Sequence, residues 1–252
     1  MTTSSSTIDK DSIRLLGMRV DRVDMNGALT LVEEFIRSGQ PHHIVTADAS
    51  MVVTASEDKE FAAIVEASDL VTPDGAGILW ATKRNGEPVR AKVSGVDLSA
   101  RCIALSAEKG WRIFFFGAGP GVAEEASARM QARHPGANIV GFRDGFFKPE
   151  DEAKIVEEIR AAKPDILLVA LGIPKQEKFI FRHKAAMGVP VCIGVGGTLD
   201  VFSGTVKRAP VWMQNTGLEW LYRLASNPKK ISKVKLLPRF ALMTLRAPKA
   251  QS

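Results

Sequence analysis

Asp74 stands in the run Thr72-Pro73-Asp74-Gly75, directly behind the apolar pair Leu70-Val71. A carboxylate at the end of a buried strand can take the proton from an attacking hydroxyl. The same Pro-Asp-Gly order also suits an Asx turn, so turn formation competes with chemistry at this position. Phe116-Gly117-Ala118-Gly119-Pro120-Gly121 follows a strand pattern and opens a helix pattern. The backbone N–H groups of such a loop can hold a diphosphate, with Gly117 and Gly119 permitting close approach. The strict dinucleotide spacing is not met, because Val122 occupies the third glycine position. No clear ribose-reading acid stands about 20 residues on, Asp144 being the nearest candidate. A plain strand-to-helix turn is the alternative reading.

Two further segments carry polar groups at the right kind of place. In Gly172-Ile173-Pro174-Lys175-Gln176-Glu177-Lys178, Lys175 can neutralise phosphate and Gln176 can read a sugar or base edge. Pro174 and Glu177 equally suit an ordinary helix start. In Gly196-Gly197-Thr198-Leu199-Asp200 the paired glycines allow a ligand to approach the backbone, or simply form a turn, and Asp200 fits a helix cap. The histidines His42, His43, His134 and His183 lack metal-ligand spacing, and His42-His43 is expected in a surface turn after Pro41. No Gly-x-Ser-x-Gly elbow is present.

The elements that must position these residues follow from the apolar pattern. Strands are expected at 44–46, 70–71, 111–116, 138–142, 166–171 and 191–195, and helices at 49–56, 122–133, 150–162 and 175–187. Continuous apolar strands alternating with amphipathic helices imply a parallel sheet covered on both faces, an α/β Rossmann-like domain. In such a sheet, ligands bind beyond the carboxyl ends of the strands. The segments at Thr46–Asp48, Thr72–Gly75, Gly117–Gly119, Leu171–Gln176 and Gly194–Gly197 are therefore expected on one edge.

The two cysteines, Cys102 and Cys192, form no CxxC pair, which argues against a disulfide framework or a zinc site. The polar start MTTSSSTIDK lacks the apolar core of a signal peptide, and no apolar stretch approaches a bilayer span. A cytoplasmic protein, peripheral on the inner face of the cell membrane, is expected. From Lys207 onward there are ten Lys or Arg against the single acid Glu219, a surplus of nine in a chain of net charge +6. The preceding 206 residues therefore carry −3, and the basicity belongs to the tail. A basic tail implies an anionic partner. Its interleaved Trp212, Leu218, Trp220, Leu221, Tyr222, Leu224, Ile231, Val234, Leu236 and Leu237 suit anionic lipid better than nucleic acid. Three segments result: a disordered 1–11, a catalytic domain over 12–206, and a helical, membrane-docking appendage over 207–252.

Taken together, the motifs resemble the WecG/TagA/CpsF glycosyltransferases, family 26. Val45-Thr46-Ala47-Asp48, Thr72–Gly77, Val93-Ser94-Gly95-Val96-Asp97-Leu98, Phe116–Glu124, Asp144–Phe147, Leu171–Lys178, Gly194–Asp200, Val206-Lys207-Arg208-Ala209-Pro210 and Gly217–Leu224 occur in the family's order, from Ile13 to about Phe240. The resemblance implies an inverting transfer without metal or other cofactor, from a UDP-sugar donor to a sugar on a polyprenyl diphosphate, in capsule, exopolysaccharide or cell-wall polymer synthesis. It also implies that the appendage binds the membrane and closes over the site. Asp74 matches the proposed base, Thr46 the Thr of a T-x-N motif, Gln176 a donor contact, and Arg223 an arginine that meets the donor diphosphate. Lys92, Lys230 and Lys233 stand where the family usually has arginine, keeping charge but losing the bidentate fork. Asp48 replaces the usual Asn, and a second carboxylate near Asp74 favours a neutral donor such as UDP-glucose or UDP-N-acetylmannosamine. Homo-oligomer formation is open. Two alternatives remain at this stage: a nucleotide-dependent oxidoreductase built on Gly117-Ala118-Gly119, and a non-enzymatic binder of anionic lipid or nucleic acid.

Overall fold

The computed structural model describes residues 11–210, 212–213, 222 and 236–248. The stretch expected to be disordered lies, apart from Asp11, outside the described residues, as do Arg223, Lys230 and Lys233. Runs such as Ile113-Phe114-Phe115-Phe116 and Ile166-Leu167-Leu168-Val169 have no polar face, so both sides must be covered. They form the middle of a six-stranded, wholly parallel sheet of order β4-β3-β8-β7-β5-β6. Its strands are β3 (His42–Ala47), β4 (Leu70–Pro73), β5 (Ile113–Gly117), β6 (Ile139–Arg143), β7 (Ile166–Ala170) and β8 (Val191–Gly194). Before them, β1 (Ser12–Leu15) and β2 (Met18–Asp21) make a short antiparallel hairpin.

Alternate residues of each strand face opposite ways and sort the helices into two layers. Ile44, Ile113, Phe115, Ile166, Leu168 and Ile193 pack against α1 (Met25–Ser38), α5 (Gly95–Lys109), α6 (Val122–Arg133) and α9 (Thr198–Phe202). On the other face, Phe114, Phe116, Leu167, Val169 and Cys192 pack against α7 (Glu152–Ala162) and α8 (Lys175–Met187). Val45, Ala47 and Val71 pack there against the hairpin, α2 (Ala49–Glu57), α3 (Lys59–Glu66) and α4 (Ala76–Arg84). The helix after β5 therefore covers one face and the helix after β7 the other, although the two strands are neighbours. Such a reversal opens a crevice at the carboxyl ends of β5 and β7.

Two details depart from the sequence reading. His42 and His43 are not in a surface turn. They begin β3, between β4 and β8, and His43 is 1% exposed. Its N–H donates to the Asp69 carboxylate at 2.8 Å, and burial pushes its imidazole down to about 3. Leu236 and Leu237, read as part of a lipid-facing run, lie in α10 (Leu236–Arg246) and pack with Met243 against the protein core. Phe240, 3% exposed, is the centre of that contact, with Trp80 edge-on at 6.4 Å. Arg84 donates to the Leu245 carbonyl at 2.7 Å, and Arg239 pairs with Glu57. Among the described residues, no helix is long and apolar enough to cross a membrane.

Candidate active site

Because the sheet is parallel, Ala47, Pro73, Gly117, Arg143, Ala170 and Gly194 end their strands on one edge. The segments singled out from the sequence follow those ends. Asp74, half-buried, comes directly after β4, and its N–H donates to the Ala47 carbonyl at 2.8 Å. Its Oδ2 does not cap α4, whose N-cap is Gly75 with no side-chain hydrogen bond. Instead it accepts the Gly95 N–H at 3.0 Å, so the carboxylate faces the first residue of α5. That helix start is stitched to β4 twice more: the Thr72 hydroxyl donates to the Val93 carbonyl at 3.0 Å, and the Val93 N–H to the Pro73 carbonyl at 2.8 Å.

Thr46 is buried and donates its hydroxyl to the Gly194 carbonyl at 2.8 Å, bridging the ends of β3 and β8. A Cβ on Gly95 would lie 3.0 Å from the Thr46 hydroxyl, so α5 starts hard against it. Asp48 N-caps α2: its Oδ1 accepts from the Ser50 N–H, the Met51 N–H and the Ser50 hydroxyl at 2.6 to 3.0 Å. The oxygen is therefore committed to a helix start rather than turned wholly to a ligand.

The loop Gly117–Gly121 has the geometry its glycines suggest. Gly117 has φ of 122°, and a Cβ there would fall 2.5 Å from the Ala170 carbonyl. The Ala118 N–H donates to that carbonyl at 2.9 Å, and the Gly145 N–H to the Ala118 carbonyl at 2.9 Å. Gly119 leads into α6, whose first turn starts at Gly121 without a side-chain cap. The starts of α4, α8 and α9 on this edge are likewise without one. Uncapped helix-start amides suit an anionic group. A concavity of about 270 Å³ lies beside this loop, between Gly121, Ala123, Phe142, Arg143 and Asp144. A larger one, about 500 Å³, opens at the opposite edge among Arg160, Lys163, Pro164 and Pro190 and contains none of the segments above.

Gln176 and Lys175 divide their work. Lys175 opens α8 and is exposed. Gln176 is 1% exposed, and its Oε1 accepts the Gly172 N–H at 3.1 Å and the Gly196 N–H at 3.0 Å. Its Nε2 donates to Glu177, fully buried, at 2.7 Å. Gln176 thus ties the loop after β7 to the loop after β8, and a Cβ on Gly194 would come within 2.8 Å of it. Gly197 precedes α9, and Asp200 lies inside that helix rather than at its cap.

One group was quoted in a motif without a role. Arg208 grips both oxygens of Asp97 at 2.6 and 2.8 Å across 111 positions of chain. Asp97 also accepts a hydrogen bond from the Ser94 hydroxyl at 2.5 Å, while its own N–H donates back to the Ser94 Oγ at 3.2 Å. Burial acts to raise the Asp97 carboxyl, but hydrogen bonds from Arg208 and Ser94 and the charges of Arg208 and Lys92 outweigh it and hold it below the usual carboxylate range. The Ser94-x-x-Asp97 spacing is a capping signal readable in the sequence, whereas its partner at Arg208 is not. Among the described residues, no group of three His, Cys, Asp or Glu side chains is arranged to hold a metal ion.

The model of the glycosyl transferase WecG/TagA/CpsF family matches residues 13–252. A Bacillus spizizenii N-acetylglucosaminyldiphosphoundecaprenol N-acetyl-β-D-mannosaminyltransferase is 34% identical over 209 residues, 83% of this chain and 80% of its own. The Staphylococcus aureus (strain MW2) protein of the same name is 29% identical over 237 residues, 93% of this chain and 92% of its own.

Proposed function

Since the chain belongs to the WecG/TagA/CpsF family and is a glycosyltransferase, we propose that it moves N-acetylmannosamine, or a related neutral hexose such as glucose, from UDP to a sugar carried on a polyprenyl diphosphate. Asp74 carries this reading: it is a half-buried carboxylate at a strand end, held through one oxygen by the start of α5. In a single displacement, an acceptor hydroxyl gives its proton to Asp74 while its oxygen bonds to the anomeric carbon. The bond from that carbon to the diphosphate oxygen breaks, UDP leaves, and the configuration inverts. The transfer is metal-independent in this reading. The charge on the leaving diphosphate is met by Lys175, by cations of the basic segment after Lys207, Arg223, Lys230 and Lys233 among them, and by helix-start amides after Gly117–Gly121. The names of the relatives support the acceptor class and the N-acetylmannosamine donor.

The decisive assay measures UDP release from a panel of UDP-sugars, with and without a short-chain polyprenyl-diphosphate-N-acetylglucosamine in anionic liposomes. Release that depends on acceptor and on one donor is expected. Asp74→Asn should lower turnover by about 10²- to 10⁴-fold while calorimetry shows UDP binding retained. Activity near wild type would remove Asp74 as the base and make Asp48 the next candidate.

The chain works at an anionic membrane surface in this reading, and exposed groups on α4 and α10 support it. Trp80, Leu242 and Leu245 are exposed together with Lys83 and Arg246, the pairing of apolar and cationic groups that suits a lipid interface.

A further inference from the structure

We propose that Asp97 and Arg208 are positioning residues for the transfer reaction: their ion pair latches the root of the C-terminal segment onto the helix start that holds Asp74. The catalytic half of this proposal rests on Asp74 being the base.

The start of α5 is the meeting point of three separate parts of the chain. It is joined to β4 through the Thr72, Pro73 and Asp74 contacts, and Gly95 is wedged against Thr46 from β3. Asp97, two residues further on, binds Arg208, which lies beyond the last strand and helix of the sheet domain. Along the same stretch the Val206 N–H donates to the Asp200 carbonyl at 2.9 Å, the Gly204 N–H to the Val201 carbonyl at 3.1 Å, and Ala209 is 3% exposed. The arginine therefore ties residues 207–210 to the helix start that holds the Asp74 carboxylate.

The pair is suited to the task. Two parallel hydrogen bonds fix direction as well as distance, which a lysine in place of Arg208 would not do. The side chains are 27% and 36% exposed, so solvent screens them less than a fully exposed pair. Reaction geometry is sensitive to such placement, since a displacement of about 1 Å can cost about 100-fold in rate.

The test uses the full chain in the UDP-release assay, with Asp97→Asn, Arg208→Gln, Arg208→Lys and the Asp97→Asn/Arg208→Gln double variant. Expected for each of Asp97→Asn and Arg208→Gln is a fall in kcat of about 10- to 100-fold, with KM for the UDP-sugar little changed. The double variant should be no worse than either single one, the mark of one shared interaction, and Arg208→Lys should recover part of the loss. Wild-type kcat in either single variant, additive losses, or losses that track the drop in Tm would each overturn the proposal. Trypsin cleavage at the Arg208–Ala209 bond reads the latch without reference to Asp74. Faster cleavage in Asp97→Asn supports it and an unchanged rate overturns it. An active Asp74→Asn beside faster cleavage would overturn the base, and with it the catalytic half, while leaving the latch.

Discussion

At Gln176 a single oxygen accepts two backbone N–H groups from different loops, and the amide nitrogen is turned to a buried carboxylate. Replacing it with methionine, of similar size, leaves the Gly172 and Gly196 N–H groups without that acceptor. A loss of about 1–3 kcal/mol in urea-denaturation stability is expected, together with weaker UDP binding because the loops after β7 and β8 drift apart. Unchanged stability with lost donor affinity would instead restore the direct donor contact that the sequence suggested. The type and place of Gln176 were legible, since a polar pair at a strand end stands out. Its burial was not, because that depends on where β8 runs, and β8 is 15 or more positions away. Gly117 is the opposite case: its glycine spacing announced a tight approach, and its φ of 122° against the Ala170 carbonyl is that approach.

Among the elements, the strands of the sheet were readable because each is apolar on both sides, and α6 and α8 have the bounds expected from their patterns. Most strand ends were extended or shortened by one or two residues, where pairing and not composition decides. The hairpin β1–β2 escaped notice: its strands have four residues each, and Arg14, Arg19 and Asp21 dilute the apolar alternation. Asp21 is nonetheless buried, because its carboxylate accepts the Val71 N–H on the open side of β4 at 2.8 Å. Helix α5 is faint for another reason. Ser99 and Ser106 occupy buried positions on its inner face beside Leu98, Cys102 and Ile103. Helix α10 shows how an amphipathic basic pattern leaves its partner undetermined, since Leu236, Leu237, Phe240 and Met243 pack on the core while Leu242 and Leu245 are exposed. Phe240→Ala should destabilise the protein by about 3–5 kcal/mol, measured by chemical denaturation. A change below about 1 kcal/mol would mean that α10 does not hold this position in solution. For the same reason, deletion after Lys207 is a blunt test of membrane contact. Leu242→Glu with Leu245→Glu removes exposed apolar groups only, and is expected to weaken liposome binding without unfolding the body.

For the molecule as a whole, acid stability follows from His43. The unfolded histidine takes its proton near its ordinary value of 6.5, whereas burial, reinforced by Lys184 and only partly opposed by Asp69, holds the folded one neutral down to about 3. The folded state is therefore favoured in full above 6.5 and loses ground as pH falls from there towards 3, by up to about 1.4 kcal/mol per pH unit. Among the described residues neither ring nitrogen has a hydrogen-bond partner, so His43→Phe forfeits no such bond. Urea unfolding at pH 7.5 and pH 5.0 should show the wild type losing about 2 kcal/mol more than this variant between the two. An equal loss in both would place the acid sensitivity elsewhere.

The pairing of β3 with β8 has a consequence for how the chain is made. His42–Val45 lies beside Val191–Gly194, with nearly 150 residues of intervening sequence. While the ribosome is still adding those residues, β3 has β4 on one flank and an open row of N–H and C=O groups on the other. Closure of the sheet centre waits until about three quarters of the chain has emerged, and such distant pairings are slow to form. Until then the nascent amino-terminal half carries an unpaired edge of the kind that other chains can pair with.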